Sequence, residues 1–113
     1  MPTYSSGEVL LLSFPFTNTT EVKRRPALVL LDTGDNDLLV ARITGQLNQT
    51  PFDLELQEWQ QAGLRIPSIV RLHKLATLDK KLVQQSLGTL TASDFQQMQT
   101  KLQVLIQSIH SIA

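Results

Sequence analysis

The stretch Leu-Leu-Val-Ala-Arg-Ile-Thr-Gly, residues 38–45, has the alternation of a β-strand over residues 38–44. Leu39, Ala41 and Ile43 fall on one face of this strand, and its other face carries Leu38, Val40, Arg42 and Thr44. Gly45 ends the strand. This stretch predicts that the chain folds around a β-sheet.

Further strands are predicted on both sides of this stretch, at residues 8–14, 26–32, 52–56, 68–75 and 82–90. We expect Thr17 to Lys23 to form a mobile polar loop and residues 33–36 to form a turn. Residues 57–62 are predicted to form one helical turn that stops near Gly63. Five or six short strands in 113 residues indicate one small barrel or sandwich domain over residues 1–113.

The end of the chain has a helical pattern. Thr91 and Asp94 resemble a capping box in which Asp replaces the usual Glu. Steps of three and four residues then place six apolar side chains on one helix face: Phe95, Met98, Leu102, Leu105, Ile109 and Ile112. We expect this face to pack on the protein's own sheet. A seam that faces a partner is the alternative, because Val104 and Ile106 widen the apolar surface.

Composition excludes several classes of site. The chain has no cysteine, which removes disulfides, thiolate zinc sites and cysteine nucleophiles. No His and carboxylate residues have metal-ligand spacing, so we predict neither a metal nor a cofactor. A net charge of +0 argues against indiscriminate DNA coating. The apolar run at residues 9–12 is too short to span a bilayer or to act as a signal peptide, so we expect a cytoplasmic protein without membrane contact.

Three segments resemble the PemK/MazF toxin family of type II toxin–antitoxin systems. Residues 7–17, Gly-Glu-Val-Leu-Leu-Leu-Ser-Phe-Pro-Phe-Thr, lead to Lys-Arg-Arg-Pro-Ala-Leu-Val-Leu at residues 23–30, as in the opening of the family. Residues 40–45 are similar to its Ala-x-Ile-Thr strand end. Residues 67–80, Pro-Ser-Ile-Val-Arg-Leu-His-Lys-Leu-Ala-Thr-Leu-Asp-Lys, are similar to its strand before a Thr-Leu-Asp turn. Leu87-Gly88, Leu90 and Asp94 match the usual ending, so the resemblance covers nearly the whole chain.

The resemblance implies an SH3-like β-barrel of five to seven antiparallel strands with a C-terminal helix. It also implies a homodimer that cleaves single-stranded RNA at short sequences without metal, and a cognate antitoxin that blocks the RNA groove. Two alternatives stay open: a catalytically degenerate module that binds antitoxin and operator DNA, and a dimeric SH3-like adaptor with no role on nucleic acid.

The resemblance assigns catalytic roles to Arg25, which matches the family arginine before proline, and to Thr44, which matches the threonine at the end of the third strand. A guanidinium offers a fixed fork of donors to phosphate oxygens, and a hydroxyl can hydrogen-bond a phosphate or orient the attacking group. Judged from the residues alone, each would be an ordinary exposed or strand-favouring side chain.

RNA binding is predicted for a further set of side chains: Lys23, Arg24, Phe16, Arg42, Arg71 and Lys74. The cations would hold the phosphate backbone, and Phe16 could stack on a base. Phe14 is expected in the core. The chain departs from the MazF branch at Ala76, where that branch often has arginine, and Arg71 or Lys74 could compensate. Alternation predicts that Arg71 and His73 share a face while Lys74 points away.

His73 and His110 are the only histidines, and an imidazole could transfer a proton near neutral pH. The family does not rely on a histidine at the position of His73, and His110 follows the predicted helix. Neither is assigned a role.

Overall fold

The structure, a computed structural model, describes residues 2–15, 22–47 and 49–110. Six strands precede one helix: β1 (Glu8–Pro15), β2 (Val22–Leu31), β3 (Asp37–Thr44), β4 (Asp53–Glu55), β5 (Ile69–Asp79), β6 (Val83–Thr89) and α1 (Ala92–Gln107). A short 3₁₀ turn, Lys80–Leu82, joins β5 to β6. No helix in these described ranges is both long enough and apolar enough to cross a bilayer.

All strands belong to one antiparallel sheet with the order β4-β5-β3-β2-β1-β6. The predicted mainly β fold with a C-terminal helix is confirmed. The sheet is not closed into a barrel, because β4 and β6 are its edges and do not pair in the described part of the chain. The turn that contains Gly63 packs against β6 instead. Gly63 has φ +86° and lies so close to β6 that an added Cβ would collide with the carbonyl oxygen of Leu87.

β2 begins earlier than the sequence predicted, at Val22 rather than at Pro26. The reason is the ladder with β1, which continues through Phe14↔Lys23 to Pro15↔Val22. The residues from Lys23 to Arg25 are therefore held in the sheet and not in a loop. Residues 17–21 of the predicted loop lie outside the described residues, as does Phe16.

Two other segments also differ from expectation. Residues 57–63 form consecutive turns rather than a helix, because amide bonds to residues three back, such as Gln61 N to Glu58 O (3.1 Å), alternate with bonds to residues four and five back. β5 continues through the Thr-Leu-Asp segment to Asp79, where Leu78 still pairs with Leu38 of β3. The turn comes one step later, in Lys80–Leu82.

The two faces of the sheet bury separate apolar clusters. One cluster includes Ala41 and Ile43 and lies under α1, where Met98 is 3% exposed and Phe95, Leu102 and Leu105 pack around it. The other cluster contains Leu10, Leu12, Ala27, Val29, Leu38 and Val40. Burial of each Leu, Ile, Val or Met side chain in these clusters contributes about 1.5–3 kcal/mol. The expectation that α1 packs on its own sheet is confirmed over these residues. Ile109 lies beyond the helix and is exposed, and Ile112 is outside the described residues.

Thr91 caps α1, and its hydroxyl accepts a hydrogen bond from the amide of Asp94 at 3.3 Å. The carboxylate of Asp94 does not complete the predicted capping box. It accepts hydrogen bonds from the amides of Gln57 (3.2 Å) and Glu58 (2.9 Å), and it is fully buried. A negative charge at a helix N-terminus is favourable, so this one side chain stabilises the helix start and ties the 57–63 turns to it.

Candidate functional site

A groove with a volume of about 890 Å³ lies where β2 begins and β3 ends. Residues 63–66 form one wall, and β5 and β6 contribute the rest. Five predicted site residues line this groove: Arg25, Arg42, Thr44, Arg71 and Lys74. Residues that are distant in sequence are therefore brought to one surface.

The groove is strongly basic although the chain as a whole is neutral. Its described lining contains five of the ten Lys and Arg residues and no carboxylate: Arg25, Arg42, Arg65, Arg71 and Lys74. Cations that converge in a concave surface raise its potential and attract polyanions. The groove is therefore suited to a ligand that carries several phosphates.

Along one face of β2 and β3, apolar side chains give way to basic ones at the end of the strands that borders the groove. Ala27 pairs with Arg42, and extending this antiparallel register by two residues places Arg25 beside Thr44. Ala27 is buried in the core, whereas Arg25 and Arg42 are exposed. The core thus ends where the groove begins, and the strand pairing sets the spacing of the guanidinium groups.

Thr44 is half-buried at the end of β3. Its hydroxyl oxygen accepts a hydrogen bond from the amide of Gln46 at 3.1 Å. This bond fixes the oxygen and leaves the hydroxyl hydrogen available for a ligand. Thr44 can therefore donate to a phosphate oxygen from a fixed position.

An irregularity in β5 brings Arg71 and Lys74 to the same groove. Arg42 pairs with Arg71, whereas the preceding Ala41 pairs with Leu75, so three residues of β5 are accommodated at one step of β3. Such a bulge breaks the alternation of faces. The prediction that Lys74 points away from Arg71 is wrong for this reason.

A smaller apolar hollow of about 380 Å³ adjoins the groove and shares Arg25, Arg42 and Lys74 with it. Phe14, which is half-buried and packs against the core as predicted, lies in its lining with Ala76. The position at which the MazF branch often has arginine is therefore beside these three cations. Lys74 lies next to it and can supply a positive charge there.

Not every predicted RNA-binding residue lines the groove. Lys23 and Arg24 are exposed on β2 but are not part of the groove lining, and Phe16 is outside the described residues. His73 also lies away from the groove, with its Nδ1 atom 3.8 Å from Oδ1 of Asp53. His110 is exposed beyond the helix.

Sequence reasoning missed Arg65 and Ile66 in the groove wall and Asp53 behind Arg71. Gly63 signals a turn, but nothing near it in sequence tells which end of the sheet that turn approaches. Within the described ranges, no group of three or more His, Asp and Glu side chains is arranged to hold a metal ion.

The chain is similar to known proteins over most of its length. The family model described as PemK-like, MazF-like toxin of type II toxin–antitoxin system matches residues 5–106. No match was found among curated proteins.

Solved structures share the fold. A mycobacterial endoribonuclease in complex with its cognate antitoxin is 15% identical at a TM-score of 0.76, over 96% of this chain and 100% of that one. The toxin MazF-mt6 of Mycobacterium tuberculosis is 19% identical at 0.71, over 88% and 96%. A MazE–MazF structure from Deinococcus radiodurans is 20% identical at 0.75, over 94% and 97%.

Proposed function

This chain belongs to the PemK-like, MazF-like toxins of type II toxin–antitoxin systems, and from this premise we propose that it is a sequence-specific endoribonuclease that cleaves single-stranded RNA without a metal ion. Cleavage of messenger RNA would inhibit translation and growth. The observation that carries the proposal is the groove in which five cations and Thr44 converge without any carboxylate in the described lining. The endoribonuclease activity named for a structural neighbour supports it.

The proposed reaction is an in-line attack of a ribose 2′-oxygen on the adjacent phosphorus. The P–O5′ bond breaks as the new P–O2′ bond forms, which leaves a 2′,3′-cyclic phosphate and a 5′-hydroxyl. The proton lost from the 2′-hydroxyl is balanced by the proton gained at O5′. Negative charge on the phosphoryl oxygens rises in the transition state, and preorganised donors aimed at that charge lower the barrier.

Arg25 and Thr44 are the proposed catalytic residues. Arg25 supplies a fork of N–H donors that can pair with two phosphoryl oxygens. Thr44 lies beside it in the extended register and donates its hydroxyl hydrogen to a non-bridging oxygen. Their adjacency on paired strands fixes the distance between the two donors, so little reorganisation is needed when the phosphorane forms.

The other cations are proposed to hold the flanking phosphates. Arg42, Arg71 and Lys74 line the groove on the β3 and β5 side. The apolar hollow between Phe14 and Ala76 offers a dry surface for a base that is splayed out of the strand. Phosphate contacts of this kind would give affinity, and the base contacts would give sequence preference.

A cognate antitoxin is the proposed protein partner. Two neighbours of this fold are described together with an antitoxin or with MazE. An acidic antitoxin segment would fit the basic groove in place of RNA. A cytoplasmic homodimer that binds operator DNA together with the antitoxin completes the proposal.

A catalytically degenerate module is the second candidate. Two observations favour it: Ala76 leaves the hollow without the arginine of the MazF branch, and the described groove lining has no carboxylate or imidazole that could act as a general base. Such a protein would bind antitoxin and operator DNA but leave RNA intact.

The test is cleavage of a long single-stranded RNA in EDTA by the purified, antitoxin-free protein. Wild type and a Lys81→Ala control, which changes an exposed lysine outside the groove lining, should give the same discrete fragments with cyclic phosphate ends. Arg25→Ala and Thr44→Val should lose these fragments while remaining folded. Intact RNA with folded wild type would reject the nuclease and favour the degenerate module.

A further inference from the structure

The groove cation Arg71 differs from its neighbours because an acid lies behind it. Nη1 of Arg71 is 3.6 Å from Oδ2 of Asp53, and the two residues are paired across β4 and β5. The Asp53 side chain is completely buried, whereas that of Arg71 is 17% exposed toward the groove. The carboxylate is therefore inaccessible to a ligand, but it touches a residue that is accessible.

Asp53 is itself held in place from three directions. Its Oδ2 accepts a hydrogen bond from the amide of Thr50 at 2.7 Å, and its own amide donates to the carbonyl of Thr50 at 3.1 Å. Lys101 of α1 donates to the Asp53 carbonyl at 2.8 Å. The second oxygen, Oδ1, has no hydrogen-bond partner among the described residues and lies 3.8 Å from His73 Nδ1. The carboxylate is thus a fixed anchor that faces two cationic or potentially cationic side chains.

Burying a carboxylate at this position costs folding free energy unless the carboxylate is paired with a cation and hydrogen-bonded. It also opposes the binding of a polyanion, because a negative charge beside Arg71 lowers the positive potential of the groove. Simple electrostatics therefore predicts that the groove would bind RNA better without Asp53. If Asp53 favours RNA binding or cleavage, it must do so by fixing the orientation of a groove side chain and not through its charge.

We infer that Asp53 is a positioning residue, which holds the Arg71 guanidinium in one orientation toward the RNA phosphate beside Arg42. The inference rests on the proposed ribonuclease function. Arg42 and Arg71 are directly paired on β3 and β5, so a fixed Arg71 presents two adjacent guanidinium groups to one phosphate or to two successive phosphates. Without the Asp53 carboxylate, Arg71 would lose one contact that restricts its rotamers, and binding would then have to supply more of its ordering.

The charge effect and the positioning effect have opposite signs, so a matched pair of variants separates them. Asp53→Asn keeps an oxygen acceptor for the Thr50 amide but loses the charge that attracts Arg71. Glu55→Gln removes the same charge from an exposed residue of the same strand. The Glu55 carboxylate accepts a hydrogen bond from the Gln49 side chain at 3.0 Å, and Glu55 does not line the groove.

We expect Asp53→Asn to lower kcat/KM for RNA cleavage about tenfold, mainly through KM, because Arg71 holds a flanking phosphate and binding must then order its guanidinium. Glu55→Gln should match wild type or exceed it slightly. In an Arg71→Ala background, Asp53→Asn should cause no further loss, because its effect acts through Arg71. Equal rates for Asp53→Asn and Glu55→Gln, or a full additional loss without Arg71, would overturn the inference.

A measurement on the unaltered protein covers the case in which Asp53→Asn does not fold. In NMR spectra of wild type, the Arg71 guanidinium should show restricted rotation, whereas that of exposed Arg65 should average freely. Free averaging at Arg71 would overturn the positioning role. If wild type cleaves no RNA, the proposed function fails, and this spectrum still decides whether Arg71 is held in one orientation.

Discussion

The two ends of the β2–β3 hairpin use cations in opposite ways. At the open end, Arg25 and Arg42 project into a groove whose described lining has no acid. At the turn end, Lys80 Nζ lies 2.9 Å from Oδ1 of Asp32, and both side chains are only 4% exposed. Asp32 also accepts hydrogen bonds from the amides of Tyr4 and Gly34, both at 2.9 Å. The difference teaches that the placement of acids decides which cations serve the fold and which remain available to a ligand.

Arg25→Ala, at the open end of the hairpin, should have the largest effect on RNA cleavage. RNA cleavage should fall by roughly 10²–10³-fold, as for the loss of one donor to a developing oxyanion. Arg25→Lys should recover only part of the rate, because an ammonium lacks the planar fork. Thermal unfolding measured by circular dichroism should stay close to wild type. A large drop in Tm would show that Arg25 also serves the fold and would break the comparison.

Lys80→Ala should show the reverse pattern at the turn end. Removing the ammonium leaves the Asp32 carboxylate without its cation, and we expect a Tm that is lower by roughly 5 °C. Cleavage per folded molecule should be unchanged, because Lys80 does not line the groove. Lys81→Ala, at the exposed neighbour, is the control and should leave both Tm and activity near wild type.

Acid should weaken the turn end. The Lys80 ammonium, followed by the amides of Gly34 and Tyr4, lowers the pKa of Asp32 from 3.8 to about 2. Since the folded-state pKa is the lower one, this carboxylate stabilises the fold above about pH 4, and that contribution is lost as pH falls toward 2. Urea unfolding of wild type at a series of pH values should show this loss. Asp32→Asn should be less stable at neutral pH and should lack this part of the acid dependence.

Arg24→Ala is expected to have the smallest effect. Arg24 is exposed and adjacent to Arg25, but strand alternation turns it to the other face and it does not line the groove. Its loss should reduce cleavage by less than about threefold, through long-range charge alone. The deficit should vanish at high salt, whereas the deficit of Arg25→Ala should remain. Equal losses of cleavage in Arg24→Ala and Arg25→Ala would mean that residues 23–25 act only as a non-specific cluster of positive charge.

Patterns with short range were predictable from the sequence. The alternation of β3 separated Ala41 and Ile43 from Leu38 and Val40, which lie in different apolar clusters, and the spacing in α1 identified the face that carries Met98. Thr91 was also identified as the cap. These features depend on period and on local hydrogen bonds, which neighbouring residues determine.

Features that depend on distant contacts were not predictable. The start of β2 is polar, and only its pairing with β1 makes Lys23 and Arg24 part of a strand. The irregularity in β5 contains no glycine that would mark it, so the shared direction of Arg71 and Lys74 was missed. Arg65 reaches the groove because Asp94 and Gly63 fix the preceding turns against α1 and β6. The candidate catalytic pair came from the family resemblance, since composition alone treats Arg25 as an ordinary surface residue.

The segregation of charge gives this protein an electric dipole without a net charge. Half of its Lys and Arg residues line one groove, and the remaining residues carry twice as many acids as bases. Screening limits such a field to about 8 Å in physiological salt, so a polyanion is oriented only in the last step of its approach. The free protein should be retained by a heparin column near its isoelectric point of about 6.7. Once a ligand fills the groove, the complex should migrate as an anion.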